Sequence, residues 1–289
     1  MITHPEKVLF PGDGITKGAL AAYYESVAPA MLPHLRGRPV MMERYPAGIG
    51  AKGFMHRDVR KGYPEWLERV EVPKKGGTVQ HPIVSDTRSL LWMANQNCIT
   101  PHVWLSRVPA LHRPDLCVFD LDPSRDDWEE LRAAAIAVRT LLDDLGLATR
   151  VKTSGWKGYH VVVPLDGQAA FDEVAAFAHA AARVLVARDP DRLTLEFTKA
   201  ERAGRIYLDV GRNGYGATLA AVYAVRARPG APVSAPCTWA EVEAGRVRPR
   251  TFTIGTMAAR LAEVGELWAE MPGQSLRTAR ERLAASERR

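Results

Sequence analysis

Two aspartates at the end of an apolar run are the residues of this sequence best suited to chemistry. Asp120 and Asp122 follow the run 116–119 in the stretch Val-Phe-Asp-Leu-Asp-Pro. Because side chains of a β-strand alternate between its faces, both carboxylates are expected on one face, opposite Leu121. Two adjacent like charges are unfavourable without a cation between them, and hard carboxylate oxygens suit Mg²⁺ or Mn²⁺. Taken alone, an Asp-x-Asp pair is more often a solvated turn or a helix cap.

A glycine-rich turn between two strand-like runs is a second candidate. Residues 151–165 read Val-Lys-Thr-Ser-Gly-Trp-Lys-Gly-Tyr-His-Val-Val-Val-Pro-Leu, which predicts a hairpin. Ser154, Lys157 and His160 place a hydroxyl, a cation and an imidazole on this turn, a combination that suits a polyphosphate. An ordinary hairpin with a solvated lysine would explain the same residues.

A third carboxylate stands on another strand-like run. Asp209 lies near the end of residues 205–210, and the turn 211–214 follows it. Three aspartates on two strands are compatible with a two-metal site, in which one carboxylate bridges the ions. The arginines that follow are candidates for meeting substrate phosphates with forked donors; they are Arg212, Arg226 and Arg228.

The motifs occur in an order that resembles a known family. The chain resembles the polymerase domain of bacterial DNA ligase D, a member of the archaeo-eukaryotic primase superfamily, from Lys7 to about Trp268. The resemblance rests on these separated stretches: Lys7-Val-Leu-Phe-Pro11, Thr16-Lys17, Tyr23-Tyr24, Met31-Leu-Pro-His34, Gly37-Arg38-Pro39, Arg44-Tyr45-Pro46, Pro101-His102, Phe119-Asp120-Leu-Asp122-Pro123, Thr153-Ser154-Gly155, Lys157-Gly158-Tyr-His160, Leu208-Asp209, Arg212-Asn213, Tyr223-Ala-Val-Arg226-Ala-Arg228 and Thr238-Trp239.

The resemblance implies an α/β (α+β) fold. We expect a primase-polymerase catalytic domain with an RRM-like βαββαβ core sheet and an N-terminal α/β lobe over residues 1–272. Within it we expect the N-terminal lobe over about 1–100, the catalytic core over about 101–235 and C-terminal helices over about 236–272. A flexible basic tail is expected over 273–289.

The resemblance also implies roles for matching positions. The catalytic metal ligands, which would hold two Mg²⁺ or Mn²⁺ ions, are Asp120, Asp122 and Asp209. The residues implied to contact the incoming nucleotide are His102, Ser154, Lys157, His160 and Arg226.

Two further sets of DNA contacts are implied. Lys7 and Lys17 would hold the 5′-phosphate across a DNA gap, helped by free N–H groups at the start of a helix capped by Thr16. His4 stands where the family usually has an asparagine, and a template-stacking aromatic pair is reduced to Phe54-Met55. The template or DNA contacts are therefore expected at Phe54, Arg44 and Arg212.

The activity implied by the family is template-dependent nucleotide addition at gaps and 3′ ends of broken DNA. Ribonucleoside triphosphates such as ATP and GTP would be preferred, and the setting would be non-homologous end joining or gap repair. The implied partners are gapped or broken DNA with a 5′-phosphate, and DNA ligase and Ku, in trans or in a longer parent chain. The sequence contains no Lys-x-Asp-Gly adenylation motif, so we do not expect it to seal nicks. A de novo primase and a catalytically silent DNA-end binding module are the alternatives.

Composition agrees with an ordinary globular enzyme. The chain has 289 residues, of which 46% are hydrophobic and 25% charged, and a formal net charge of +6. The last 15 residues carry five arginines against two glutamates, which is half of that net charge. A nucleic-acid groove must therefore be a local patch. Its candidates, each equally explained as a solvated surface residue, are Lys52, Arg57, Arg60, Lys61, Lys74 and Lys75.

The spacing of the cysteines and the lack of long apolar segments predict where in the cell the protein works. Cys98, Cys117 and Cys237 are far apart, which argues against zinc and against a disulfide framework. The N-terminus lacks a secretory signal, and no run approaches the ~18 apolar residues of a membrane span. We expect a cytoplasmic, nucleoid-associated protein without a membrane partner.

Hydrophobic periodicity predicts alternating helices and strands. Helices are predicted after Thr16 and over 86–97, 128–145 and 171–188; strands over 40–45, 116–121, 193–197 and 205–210; a hairpin over 150–164; and a capping box at Thr238. The order from 116 to 210 resembles the split βαββαβ plan. This plan places the three aspartates and the hairpin turn on one face of a sheet.

Overall fold

The computed structural model describes residues 2–59, 62–74 and 76–286. Its helices are α1 (Lys17–Leu35), α2 (Thr87–Asn95), α3 (Trp128–Asp144), α4 (Phe171–Arg188), α5 (Trp239–Glu243), α6 (Met257–Val264) and α7 (Arg277–Ser286), with a 3₁₀ turn at Gly211–Asn213. Its strands are β1 (Val8–Phe10), β2 (Ile15–Thr16), β3 (Val40–Arg44), β4 (Phe54–His56), β5 (Arg69–Lys74), β6 (Gly77–Pro82), β7 (Cys98–Trp104), β8 (Leu116–Pro123), β9 (Arg150–Thr153), β10 (Tyr159–Pro164), β11 (Leu193–Thr194), β12 (Ile206–Asp209), β13 (Thr218–Ala220) and β14 (Pro236–Cys237).

The chain forms two compact units, and each is discontinuous in sequence. The first unit comprises residues 1–109, 218–235 and 250–269, and the second comprises 110–217, 236–249 and 270–289. This division differs from the contiguous lobes expected from the sequence. The reason is strand recruitment across the chain: β13 pairs with β7 in the first unit, and β14 pairs with β9 in the second.

A six-stranded sheet organises the second unit. Its strand order is β11-β12-β8-β10-β9-β14. Strand β8 pairs antiparallel with β10 on one side and with β12 on the other, and β10 pairs antiparallel with β9. The order β12-β8-β10-β9, with α3 and α4 as the connections, is that of the split βαββαβ plan. The prediction of this core sheet is confirmed.

The central strand β8 has the alternation that its sequence predicts. Val118, Phe119 and Leu121 are fully buried, whereas Asp120 and Asp122 are only partly covered. Burying the apolar side chains stabilises the strand, and the two carboxylates remain on the opposite side of the pleat.

The predicted helix starts are confirmed by their caps. The Oγ1 atom of Thr16 accepts a hydrogen bond from the N–H of Ala19 at 3.2 Å, and Asp86 caps α2 through the N–H of Ser89 at 2.7 Å. Thr238 forms the predicted capping box at the start of α5. These bonds satisfy donors that a helix start otherwise leaves unpaired.

The four-stranded sheet of the first unit has the strand order β13-β7-β3-β4, and the same unit contains the two-stranded sheets β1-β2 and β5-β6. Two adjacent tyrosines of α1 connect the four-stranded sheet to the segment that follows β13. The Tyr24 hydroxyl donates to the Ile99 carbonyl at 2.6 Å and accepts from the Val225 N–H at 3.2 Å. The Tyr23 hydroxyl donates to the carbonyl of Tyr223 at 2.8 Å. These buried bonds fix the backbone that leads to Arg226.

Two segments differ from their predicted structure. The strand expected over 193–197 is limited to Leu193–Thr194, since the Thr194 Oγ1 accepts from the Glu196 N–H at 3.1 Å and the chain turns. The segment expected to be a flexible tail contains α7, whose Ala279 and Leu283 are buried, as is Leu276 just before it. Residues 287–289 of that segment lie outside the described ranges. Within the described ranges, no helix is long and apolar enough to cross a membrane.

Gly158 allows the hairpin to approach β8 beside the two aspartates. A Cβ atom at this position would lie 1.7 Å from the carbonyl oxygen of Leu121. We therefore expect Gly158→Ala to displace β10 from β8 and to cost about 1–3 kcal/mol or more. Differential scanning calorimetry measures this as a lower Tm.

The matched control is Gly12→Ala, where no atom lies within 4 Å of the added Cβ. It should change stability by less than about 0.5 kcal/mol. Equal Tm values for the two alanine variants would contradict the close approach.

Candidate functional site

Four polar side chains form a row across the sheet of the second unit. Asp209 pairs in register with Asp120, Asp120 with His160, and His160 with Lys152. Directly opposed residues of antiparallel strands share a face, so these side chains lie side by side on β12, β8, β10 and β9. We call them the carboxylate row. Asp122 lies on the same face two residues further along β8, next to Tyr207 of β12.

Basic side chains surround Asp120. The Nε2 atom of His160 lies 3.4 Å from its Oδ1, and the Nε of Arg212 lies 3.7 Å from its Oδ2. Burial opposes ionisation of Asp120, but His160, Arg212 and Lys152 outweigh it and lower its pKa below the usual value. Asp120 is therefore a carboxylate, not a carboxylic acid, at neutral pH.

Asp209 responds differently to the same surroundings. Its Oδ2 lies 3.0 Å from the Nε of Arg212, and its Oδ1 accepts from the N–H of Gly211 at 3.0 Å. Burial raises the pKa of Asp209, and the negative charges of Asp120 and Asp122 raise it further against the opposing effect of Arg212. Asp209 is therefore harder to ionise than a solvated aspartate, chiefly because it is buried, and a cation beside it favours its carboxylate form.

A buried arginine faces Asp122. The Nη1 of Arg202 lies 3.4 Å from the Oδ2 of Asp122. The carbonyls of Glu196 and Phe197 accept from the same guanidinium at 3.2 and 2.9 Å, and the ring of Tyr207 lies 4.3 Å from its Cζ. Its side chain is only 6% exposed, so Arg202 is held firmly in place.

The three aspartates supply the kind of donors that a divalent ion requires. Carboxylate oxygens suit Mg²⁺ and Mn²⁺, and like charges on directly opposed strand positions, as at Asp209 and Asp120, favour a cation between them. Among the residues that the structure describes, however, no group of three or more His, Cys, Asp and Glu side chains stands in a metal-holding arrangement. The donor set therefore fits a metal site in its chemistry, while arginine side chains pair with the carboxylates.

The hairpin turn next to the row is shaped by its own serine. The Ser154 Oγ accepts from the N–H groups of Trp156 at 3.1 Å and Gly158 at 3.0 Å, and Gly155 has a φ of +68°. Lys157, at the tip, is exposed. The turn thus presents one cation while the serine hydroxyl orders the backbone beneath it.

A second polar cluster lies on the sheet of the first unit. The Nε2 of His102 lies 3.3 Å from the Oε2 of Glu43, and the hydroxyl of Tyr45 donates to the Oε1 of Glu43 at 2.8 Å. Burial opposes ionisation of Glu43, but His102, Tyr45 and the charge of Arg226 lower its pKa to about 2. We call His102, Glu43, Tyr45 and Arg226 the histidine–glutamate cluster. Glu43 fixes the orientation of the imidazole ring.

The two lysines predicted to hold a phosphate are neighbours. The N–H of Lys17 donates to the carbonyl of Lys7 at 2.8 Å. Burial lowers the pKa of Lys17, and the positive charge of Lys7 lowers it further. The Nζ of Lys17 also donates to the carbonyl of Thr3 at 2.7 Å. Two cations this close together are suited to an anion.

The prediction of free N–H groups at the start of α1 is wrong. The N–H of Lys17 is bonded to Lys7, that of Gly18 donates to the Pro5 carbonyl at 2.8 Å, and that of Ala19 is capped by Thr16. The chain's own oxygens satisfy these donors, so a phosphate would depend on the lysine ammonium groups. His4, in the position of the family's asparagine, is exposed and lies 3.5 Å from Glu6.

The predicted DNA contacts of the first unit lie on paired strands. Arg44 is register partner to Phe54, and its guanidinium binds the Gln96 carbonyl at 2.7 Å and the Nδ1 of His56 at 2.8 Å. Phe54 and Met55 are both exposed. Of the predicted basic patch, Lys52, Arg57 and Lys74 are exposed as well. The remaining patch residues lie outside the described part of the chain; they are Arg60, Lys61 and Lys75.

Sequence reasoning missed three charged residues of these clusters. Lys152 is 1% exposed and stands in the carboxylate row, but only the hairpin register places it opposite His160. The alternation of β9, with valine at 151, was the available signal. Glu43 and Arg202 gave no comparable signal, since their partners are distant in sequence.

Comparison with known proteins decides the family. The model of the LigD primase-polymerase domain matches residues 16–268. The chain belongs to this family. The predicted family, its α/β fold and its class, a nucleotidyltransferase, are thereby confirmed.

Full-length relatives and a solved domain agree with this assignment. The multifunctional non-homologous end joining protein LigD of Mycolicibacterium smegmatis is 36% identical over 273 residues, which cover 93% of this chain and 36% of that protein. The bifunctional LigD of Bacillus subtilis is 30% identical over 265 residues, covering 91% and 42%. The polymerase domain of Mycobacterium tuberculosis Ligase D, solved in complex with DNA, superposes with a TM-score of 0.88 at 34% identity and covers 94% of this chain and 97% of that one. The chain thus spans about a third of the first of these relatives.

The low pKa of Glu43 predicts a pH-dependent contribution to stability. A carboxylate whose pKa is depressed on folding stabilises the native state above its ordinary pKa of 4.5, and this stabilisation is lost as the pH falls towards 2. Glu43→Gln should therefore lower the free energy of unfolding at neutral pH by about 1–3 kcal/mol. The difference from the parent should shrink steadily as the pH falls from 4.5 towards 2.

Urea denaturation at a series of pH values measures this difference. Glu25→Gln, on the exposed side of α1, is the matched control and should leave the free energy of unfolding at neutral pH close to the parental value. A pH-independent effect of Glu43→Gln would show that charge on Glu43 is not what stabilises the cluster.

Proposed function

We propose that this domain adds nucleotides to the 3′ ends of gapped or broken DNA during end joining. The supporting observation is that Asp120, Asp122 and Asp209, on two antiparallel strands, share one face with His160. The family resemblance implies that they bind two Mg²⁺ or Mn²⁺ ions, and the aligned register supports this role. The relatives' role in non-homologous end joining, and the DNA bound to the similar polymerase domain, support the choice of substrate.

Bound divalent ions would lower the pKa of the attacking 3′-hydroxyl and neutralise the triphosphate. The residues of this chain have three separate tasks. The aspartates provide fixed negative charge where the cations are required. His160 supports Asp120 from the adjacent strand, and Lys157 extends from the hairpin turn as a cation for phosphate oxygens.

Further parts of the proposal rest on the family alone. They are the preference for ribonucleotides, the nucleotide contacts of His102 and Arg226, and the partnership with DNA ligase and Ku. Single-nucleotide addition with matched ribo- and deoxynucleoside triphosphates tests the preference, which equal efficiencies would refute. Pull-down of the purified domain with Ku and with the ligase tests the partners.

The proposed metal site predicts the effect of removing charge from Asp120 or Asp122. Asp120→Asn and Asp122→Asn each remove one negative charge from the face without changing the side-chain volume, so nucleotide addition should fall by roughly a hundredfold or more. Extension of a labelled primer on a gapped duplex measures the rate, and circular dichroism checks the fold.

The control for these variants is Asp144→Asn, which removes the same charge from the exposed end of α3. It should extend primers at the parental rate. A folded Asp120→Asn or Asp122→Asn protein with parental activity would refute the assignment.

The proposed phosphate contact of Lys7 and Lys17 predicts a preference for DNA with a 5′-phosphate. A gapped duplex that carries a 5′-phosphate should bind more tightly than the same duplex with a 5′-hydroxyl, by about tenfold, or about 1.4 kcal/mol. Lys7→Ala should reduce this ratio. Titrations of both duplexes at one fixed salt concentration give the ratio directly.

The test needs a control for general charge loss. Lys52→Ala removes an exposed cation elsewhere in the first unit and should weaken both duplexes equally, leaving the ratio unchanged. If the parent protein does not prefer the phosphorylated duplex, this part of the proposal is wrong.

A further inference from the structure

One arginine lies between two of the aspartates. The Nε of Arg212 is 3.0 Å from the Oδ2 of Asp209 and 3.7 Å from the Oδ2 of Asp120. These carboxylates are register partners on β12 and β8. A single guanidinium therefore bridges the pair and lies where their negative charge is concentrated.

The backbone that carries this arginine is fixed. Asn213 is fully buried, its Oδ1 accepts from the N–H of Val118 at 2.8 Å, and its Nδ2 donates to the carbonyls of Val118 and Val210 at 2.7 and 2.9 Å. The adjacent Gly211 N–H donates to Asp209. The 3₁₀ turn thus holds the base of the Arg212 side chain directly beside the carboxylate pair.

The side chain of Arg212 itself is not enclosed. It is 44% exposed, whereas the side chain of Arg202 beside Asp122 is 6% exposed and is held by two carbonyls and a ring. Arg212 can therefore leave its carboxylates into solvent without opening the core. Of Arg212 and Arg202, Arg212 therefore has the geometry of a removable partner.

We propose that Arg212 is an internal counter-ion of the Asp120–Asp209 pair, which a divalent cation must displace when it binds. The inference rests on the proposed function, which makes these aspartates metal ligands. A guanidinium group carries one positive charge and only donates hydrogen bonds. A divalent ion carries two positive charges and is coordinated directly by carboxylate oxygens. The exchange transfers no proton from Arg212, because the guanidinium stays charged in both states. Arg212 thereby lowers the affinity of the site for metal.

Mn²⁺ binding tests the displacement without any measurement of activity. Electron paramagnetic resonance reports free Mn²⁺ during titration of the parent protein, Arg212→Gln, Arg212→Lys and Arg188→Gln. Arg212→Gln should bind Mn²⁺ about tenfold more tightly than the parent, and Arg212→Lys should stay close to the parent. Arg188 is exposed on the last turn of α4, so Arg188→Gln controls for the change in net charge.

Thermal unfolding in the presence of a chelator tests the ion pair itself. Without Arg212 the two aspartates repel each other, so Arg212→Gln should lower the Tm by about 2–4 °C. The same change made in the Asp209→Asn background should have little effect, since the repulsion is already removed. Arg188→Gln should have the same small effect in both backgrounds.

The Mn²⁺ titrations and the unfolding experiments distinguish failure of the displacement, of the ion pair and of the metal site. Equal Mn²⁺ affinities for Arg212→Gln and Arg188→Gln, with binding to the parent intact, would overturn the displacement and leave the proposed function standing. An Arg212→Gln effect on Tm that is unchanged by Asp209→Asn would overturn the counter-ion pair. Failure of the parent and every variant to bind Mn²⁺ would instead refute the metal site on which the proposed function depends.

Discussion

The concentration of negative charge on β8 and β12 is the constraint to which the rest of the second unit responds. Asp120 and Asp209 are direct register partners, and like charges in that position destabilise a sheet unless cations lie close by. His160 and Lys152 extend the row on the far side of Asp120, and Arg212 and Arg202 pair with the carboxylates. Basic side chains around these carboxylates therefore stabilise the charged centre of the sheet.

In the first unit, a partly buried carboxylate, Glu43, is stabilised by a neutral hydroxyl as well as by basic side chains. Glu43 is partly buried, and its two oxygens are taken by His102 and by the Tyr45 hydroxyl. Hydrogen bonds to both oxygens favour the ionised form, which is why the pKa falls despite burial. The tyrosines of α1 position the neighbouring backbone through hydroxyl bonds, so this cluster depends on helix packing as much as on its own sheet.

The sequence predicted what is local and missed what depends on register. The face of Asp120 and Asp122, the hairpin and the long helices follow from periodicity within one element, and the structure confirms them. The caps at Thr16 and Thr238 follow from residue type at the helix start and are confirmed as well. Lys152 acquires its partner through the register of the hairpin. Glu43 and Arg202 acquire theirs only when segments distant in sequence come together, which no periodicity encodes. The helix start at Thr16 was predicted correctly, but its N–H groups are already bonded because the segment from Pro5 to Lys7 folds back onto it. The proposed roles of the site residues came from the family resemblance, whereas the alternation of side chains predicted which residues share a face of the sheet.

Beyond the end of β12, the side chain of Asn213 makes the hydrogen bonds that the backbone of a neighbouring strand would make to β8. Its amide both donates to and accepts from the backbone of Val118, so the ladder of β8 continues for one more residue through a side chain. Aspartate would lack the donor and leucine would lack both groups, so few residues can replace it. The side chain of the preceding residue, Arg212, contacts the carboxylates but is 44% exposed and supports no backbone hydrogen bond of β8. A substitution at 212 can therefore change the charge beside the aspartates while Asn213 keeps the loop in register, so the electrostatics of this face and the architecture of the sheet are separable.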